Sequence, residues 1–192
     1  MRGDPKVIEH LNIALKNELT AVNQYWLHYR LLAHWGVQRL ADFERHESID
    51  EMKHADQLAE RILFLDGLPN FQRLGRLRVG ESIEEVLKAD LALEEEALPP
   101  LREAIAYCEN VRDFVSRDLF ARILANEEDH VDVLEKQFDM IKQMGLQNYI
   151  QLQSKPTEAE GLSPLGDCPS LPTRDSPQAG TVPSKPYIRP KP

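Results

Sequence analysis

An all-α fold is predicted for this 192-residue chain: a four-helix bundle with one long crossover and a short fifth C-terminal helix. Three features predict it. Apolar residues recur at steps of three, four and seven through four long segments, and nowhere alternate as they would along a strand. Residues that start and stop helices stand at the ends of those segments. A glycine- and proline-marked stretch separates the second segment from the third.

The first helix begins at Asp4-Pro5, an N-cap followed by proline at the first helical position. Leu11, Leu15, Val22 and Tyr25 give its apolar stripe. The second starts near Gln38 and carries Leu40, Leu58 and Leu65 on one face. Gly67, Pro69, Gly75 and Gly80 then mark a connection of roughly fifteen residues, long enough to run beside a helix and return the chain in parallel. The third helix opens at Glu81-Ser82, with Leu87, Leu91, Leu98, Leu101 and Ile105 as its stripe. Pro99-Pro100 lies inside it and removes two backbone donors, so a kink or bulge is expected there. The fourth begins near Asp113, with Phe120, Ile123, Leu134 and Ile141 inward. Gly145 ends it as a C′ glycine, and Leu146 to about Gln153 forms the short fifth helix.

Composition limits what such a bundle does. Lys and Arg number 23 against 32 Asp and Glu, a net charge of −9, which argues against nucleic acid as a partner, since phosphate binding rests on basic side chains. No stretch approaches the ~20 apolar residues that span a bilayer. The start carries no apolar targeting core, and Cys108 and Cys168 make no disulfide framework. A cytoplasmic protein with reduced thiols is expected. The body, 1–154, is read as one domain. Residues 155–192 hold nine of the thirteen prolines and are read as a disordered or polyproline-like tail, either a plain solvated extension or a docking segment.

Charged residues interrupt the apolar stripes at particular places. Glu18 lies between Leu15 and Val22, Glu51 and His54 between Glu47 and Leu58, Glu94 between Leu91 and Leu98, and Glu127 and His130 between Ile123 and Leu134. Each Glu-x-x-His pair puts both side chains on one helix face, one turn apart. Four carboxylates and two imidazoles aimed at one core repel one another and are costly to bury. Two divalent cations offset four ionised glutamates. Oxygen-rich donors with one nitrogen per ion suit iron or manganese, and the absence of cysteine ligands argues against a structural zinc site. The order Glu, Glu-x-x-His, Glu, Glu-x-x-His matches the di-iron and di-manganese carboxylate bundles.

The segments MRGDPKVIEHLN, NELTAVNQYWLH, RHESIDEMKHADQLAERILFLDGLPN, DLALEEE, NEEDHVDVLE and MGLQNYIQLQ resemble the bacterioferritins over residues 1 to about 153, and ESIDEMKHA is the most specific of them. The resemblance implies a ferritin-like bundle that assembles as a hollow shell of twenty-four subunits built from dimers and stores ferric mineral. It implies a di-iron ferroxidase centre with Glu18, Glu51, His54, Glu94, Glu127 and His130 as ligands. Glu51 and Glu127 would bridge, Tyr25 would stand beside the centre, and dioxygen or peroxide would be the oxidant. His46 and Asp50 match positions that bind iron on the inner surface; as residues they equally suit a solvated acidic helix. Haem b between paired subunits is implied, with Met52 as axial ligand and Leu19, Asn23 and Trp26 walling its pocket. Partners implied are further copies of the chain, in some shells a second bacterioferritin subunit type, and a small ferredoxin that supplies electrons for iron release. A di-iron peroxidase or oxygenase without storage, or a non-catalytic shell subunit, are the alternatives. The lack of a C-x-x-C pair weighs against the peroxidase. The proline-rich tail is an addition to the family pattern.

Overall fold

The structure, a computed structural model, describes residues 1–155. The expected tail therefore lies, but for Lys155, outside the described residues, as does Cys168. Five helices follow one another: α1 (Pro5–His34), α2 (Gln38–Phe64), α3 (Ile83–Val111), α4 (Phe114–Met144) and α5 (Leu146–Gln153), with no strand among the described residues.

Capping chemistry sets the helix ends. Asp4 accepts from the N–H groups of Lys6 and Val7 at 2.7 and 3.3 Å, with Pro5 behind it. Ser82 accepts from Glu85 N–H at 3.3 Å, and the Glu85 carboxylate reaches back to Glu81 N–H at 2.9 Å, so two orphan donors at the start of α3 are satisfied. Asp113 caps α4 through Ser116 N–H at 3.0 Å and also accepts from Arg61 of α2 at 2.7 Å. Gly145, at φ +79°, ends α4.

The turns between α1 and α2 and between α3 and α4 are short, so each pair is an antiparallel hairpin. The connection between the hairpins, residues 65–82, is somewhat longer than expected and lies along α1. A polar stripe on α1 holds it. Asn12 Oδ1 accepts from Asn70 N–H at 2.8 Å, Thr20 Oγ1 from Gly75 N–H at 2.8 Å, Gln24 Oε1 from Arg78 N–H at 2.9 Å, and His28 Nε2 from Gly80 N–H at 3.2 Å. The crossover thus runs in the direction of α1, and α3 starts beside the start of α2. A side chain at Gly80 would bring its Cβ within 2.3 Å of the Val86 nitrogen, so this close return requires glycine.

The apolar interior comes in two clusters. One joins Leu11, Leu15, Leu58, Leu101, Phe120 and Ile123, and includes the buried thiol of Cys108. The other joins Leu32, Leu40, Leu87, Leu134 and Tyr149. Between them lies a belt of buried polar side chains. The expected stripes hold for most positions. Val22, Leu91, Leu98, Ile105 and Ile141 are only half-buried. On α3 the inward line is Leu87, Asp90, Glu94, Ala97 and Leu101, one residue out of phase with Leu91 and Leu98. One residue is about 100° around the helix, so with Asp90 and Glu94 turned inward Leu91 and Leu98 fall on the flank of the buried face. The helix runs through Pro99-Pro100 without interruption, and Glu94 stays buried at 1% exposure.

Candidate metal centre

Six sequence-predicted residues meet in the polar belt, carried by all four long helices. They form two overlapping groups of possible ligand atoms, each group within 4.8 Å: Glu18, Glu51, His54 and Glu127, and then Glu51, Glu94, Glu127 and His130. Glu51 and Glu127 belong to both groups. The four glutamates are each no more than 2% exposed. His54 Nδ1 lies 3.3 Å from Glu18 and from Glu51 and 3.4 Å from Glu127. His130 Nδ1 lies 3.1 Å from Glu51 and 3.4 Å from Glu127, while its Nε2 lies 2.8 Å from Glu47.

Crowding leaves polar atoms unsatisfied. Glu51 Oε1, Glu127 Oε1 and Glu47 Oε2 are buried with an imidazole nitrogen as close neighbour but out of good hydrogen-bond alignment, and both oxygens of buried Glu44 have no hydrogen-bond partner. Such atoms are costly in a protein interior. Burial, followed by the charge of Glu51, pushes the Glu18 carboxyl well above its usual range; burial, then Glu127 and Glu51, do the same to Glu94. Burial also works against ionised Glu51, but hydrogen bonds from His130 and His54 outweigh it and hold this carboxyl low. Burial acts to lower His54, yet its bonds to Glu127, Glu18 and Glu51 push it up to about 12. Crowding of the carboxylates thus favours protons on Glu18, Glu94 and the imidazoles, in the places where cations would offset the same charge. Two oxygen-rich donor sets, one imidazole in each, and orphaned oxygens facing one another suit a pair of iron or manganese ions.

Second-sphere contacts reinforce this arrangement. Tyr25, fully buried, donates its hydroxyl to Glu94. Glu47 was not among the predicted ligands, although it stands one turn before Glu51 on the same face. A third buried group, His28, Glu44 and Asp90, is also new. Gly80 N–H occupies His28 Nε2, so the ring proton sits on Nδ1, 2.8 and 2.9 Å from the two Asp90 oxygens. Asp90 further accepts from Gln24 at 2.9 Å, so this group backs the crossover clasp. The signal for it was present as carboxylates at helical spacing, but α2 carries so many that spacing alone picks none out.

The remaining predicted residues lie apart. His46 is exposed, with Nδ1 2.6 Å from the Asp42 carbonyl, and Asp50 pairs with Lys53 at 2.5 Å. Met52 is 52% exposed on the face of α2 away from the glutamates, and Trp26 of α1 is 42% exposed. Leu19 is half-buried and Asn23 exposed.

Residues 8–144 match the family model of the ferritin-like domain. The chain is 51% identical to a bacterioferritin of Brucella melitensis over 82% of its own length and 98% of the relative's. It is 49% identical to a bacterioferritin of Rhodobacter capsulatus, over 83% of this chain and 99% of that one. It is 47% identical to a bacterioferritin of Streptomyces coelicolor, over 85% and 98%.

Proposed function

Since this chain belongs to the bacterioferritin family of ferritin-like proteins, we propose that it stores iron as a ferroxidase, taking Fe(II) as substrate at the four-helix centre and depositing ferric mineral inside a multi-subunit shell. The observation that carries this reading is the pair of buried donor groups that share Glu51 and Glu127. Glu18 and His54 would hold one ion, Glu94 and His130 the other, and the shared glutamates would bridge them. Two Fe(II) bound there supply the electrons that reduce dioxygen or peroxide.

The chain's own residues supply position and charge. Four carboxylates offset two divalent cations, and the two imidazoles release their protons as metal arrives. Tyr25 fixes the orientation of Glu94 through its hydroxyl. The apolar clusters on either side keep the ligands on rigid helices.

The wider assembly follows the family pattern. The shell has twenty-four subunits built from dimers and operates in the cytoplasm, in some cells with a second subunit type. Met52, exposed on the outer face of α2, would ligate haem b shared with a second copy, for which a small ferredoxin is the electron donor. His46 and Asp50 would hold iron in transit on the inner surface.

Aerobic addition of Fe(II) well beyond two ions per chain, followed by size exclusion, tests the storage reading. Iron is expected to stay soluble and elute with a particle far larger than a dimer. Retention of only about two ions per chain on a small oligomer, with the rest precipitating, would leave the centre in place and defeat storage. A Soret band that appears with added haem and is lost in Met52→Leu tests the haem site.

A further inference from the structure

A cavity of about 130 Å³ leads to the centre from the side covered by the crossover. Its floor is Glu18, Glu51, Glu94 and Glu127, all buried, and its walls include Ala21, Leu93 and Ala97. Its rim is basic, with Arg76 exposed and Lys16 and Arg78 half-buried. Lys16 of α1 and Arg76 and Arg78 of the crossover stand there with one acid, Glu96 of α3, which ion-pairs with Arg78. Neither Lys16 nor Arg76 has a carboxylate partner among the described residues. This is an unusual rim for an acidic chain of net charge −9. It is also held in place: Gly75 N–H and Arg78 N–H, on either side of Arg76, bond to Thr20 and Gln24.

We propose that this opening admits the oxidant and not the iron: Lys16, Arg76 and the Arg78–Glu96 pair form a cation-repelling mouth through which a small neutral or anionic oxygen species reaches the metal ligands. The inference rests on the metal-centre reading above and names which reactant uses this side. Like-charge repulsion turns away an aquated dication at a rim carrying two uncompensated positive charges, while a neutral molecule passes without electrostatic penalty. A volume near 130 Å³ corresponds to about four waters, at ~30 Å³ each, room for a diatomic or triatomic species.

The test uses the full chain loaded with redox-inert Co(II), whose visible spectrum reports ligand binding, and azide as a small anionic probe. Two charge reversals are compared: R76E at the mouth, and R122E, whose arginine borders a separate depression with Gln57 and Phe64. R76E is expected to slow azide association about tenfold at low ionic strength, an effect that shrinks as salt shortens the Debye length, and to leave Co(II) loading no slower. R122E is expected to change neither. Equal azide rates in the two variants would overturn the proposal and leave the metal centre standing. Faster Co(II) loading in R76E with azide association unaffected would assign the mouth to the metal and overturn it as well. Absence of any cobalt spectrum in the unaltered chain would instead defeat the metal-centre reading on which it rests.

Discussion

At the scale of single residues, the centre is a set of buried carboxylates that the protein's own donors, two imidazoles and the Tyr25 hydroxyl, satisfy only in part. Glu127 occurs in both donor groups, so Glu127→Ala should abolish stoichiometric binding of two ions per chain. Isothermal titration with Co(II) or Fe(II) under argon checks this, and unchanged stoichiometry would refute the assignment. Protonation competes with metal. His54 and His130 are held far above their ordinary range by the surrounding carboxylates, and burial raises Glu18 and Glu94. Protons on the two imidazoles, and the raised affinity of Glu18 and Glu94 for theirs, compete with metal, so metal affinity should rise with pH and protons should be released on loading. Titrations in buffers of different ionisation heat measure that release. For His54 in the metal-free protein the sign is set by a raised folded-state value. Its contribution to stability is complete below about 6.5 and declines as pH rises towards about 12. The six candidate ligands were legible because each carboxylate or imidazole interrupts an apolar stripe. Glu44, Glu47, Asp90 and His28 are as buried as the ligands, yet nothing local in the sequence separates them from the solvated acids around them.

At the scale of elements, helix ends were the most legible feature, since Asp4, Ser82, Asp113 and Gly145 each announce a cap in chemistry that needs no tertiary context. The crossover clasp was not legible. Asn12, Thr20, Gln24 and His28 share one stripe of α1, but their partners are backbone N–H groups of a segment without periodicity. Thr20→Ala removes the acceptor for Gly75 N–H and should destabilise the protein by about 1 kcal/mol. Faster hydrogen exchange confined to residues 74–80 would localise the effect, whereas an even change along the chain would contradict it. Within the helices, Leu58 is fully buried in the first apolar cluster, and Leu58→Ala should cost about 2–5 kcal/mol, read from denaturant unfolding of the metal-free chain. The α3 stripe was misjudged by one position because leucines at steps of seven compete with a polar line whose value lies in partners on other helices.

For the whole molecule, all six proposed ligands and both apolar clusters lie within residues 1–155. Truncation before Pro156 should therefore leave metal stoichiometry unchanged, and a loss would assign the tail a part in folding the bundle. Metal should in turn stabilise the bundle, by about 2.7 kcal/mol per site at a hundredfold excess over Kd. The rise in melting temperature on adding Co(II) should vanish in Glu127→Ala. The polar belt between the two apolar clusters has a mechanical meaning. Each end of the bundle coheres by excluding water, as oil does, while the middle coheres through ion pairs among its own carboxylates and imidazoles. The bundle is thus two short barrels joined at a polar waist, and on the proposed reading a pair of metal ions seated there would clasp the two barrels together.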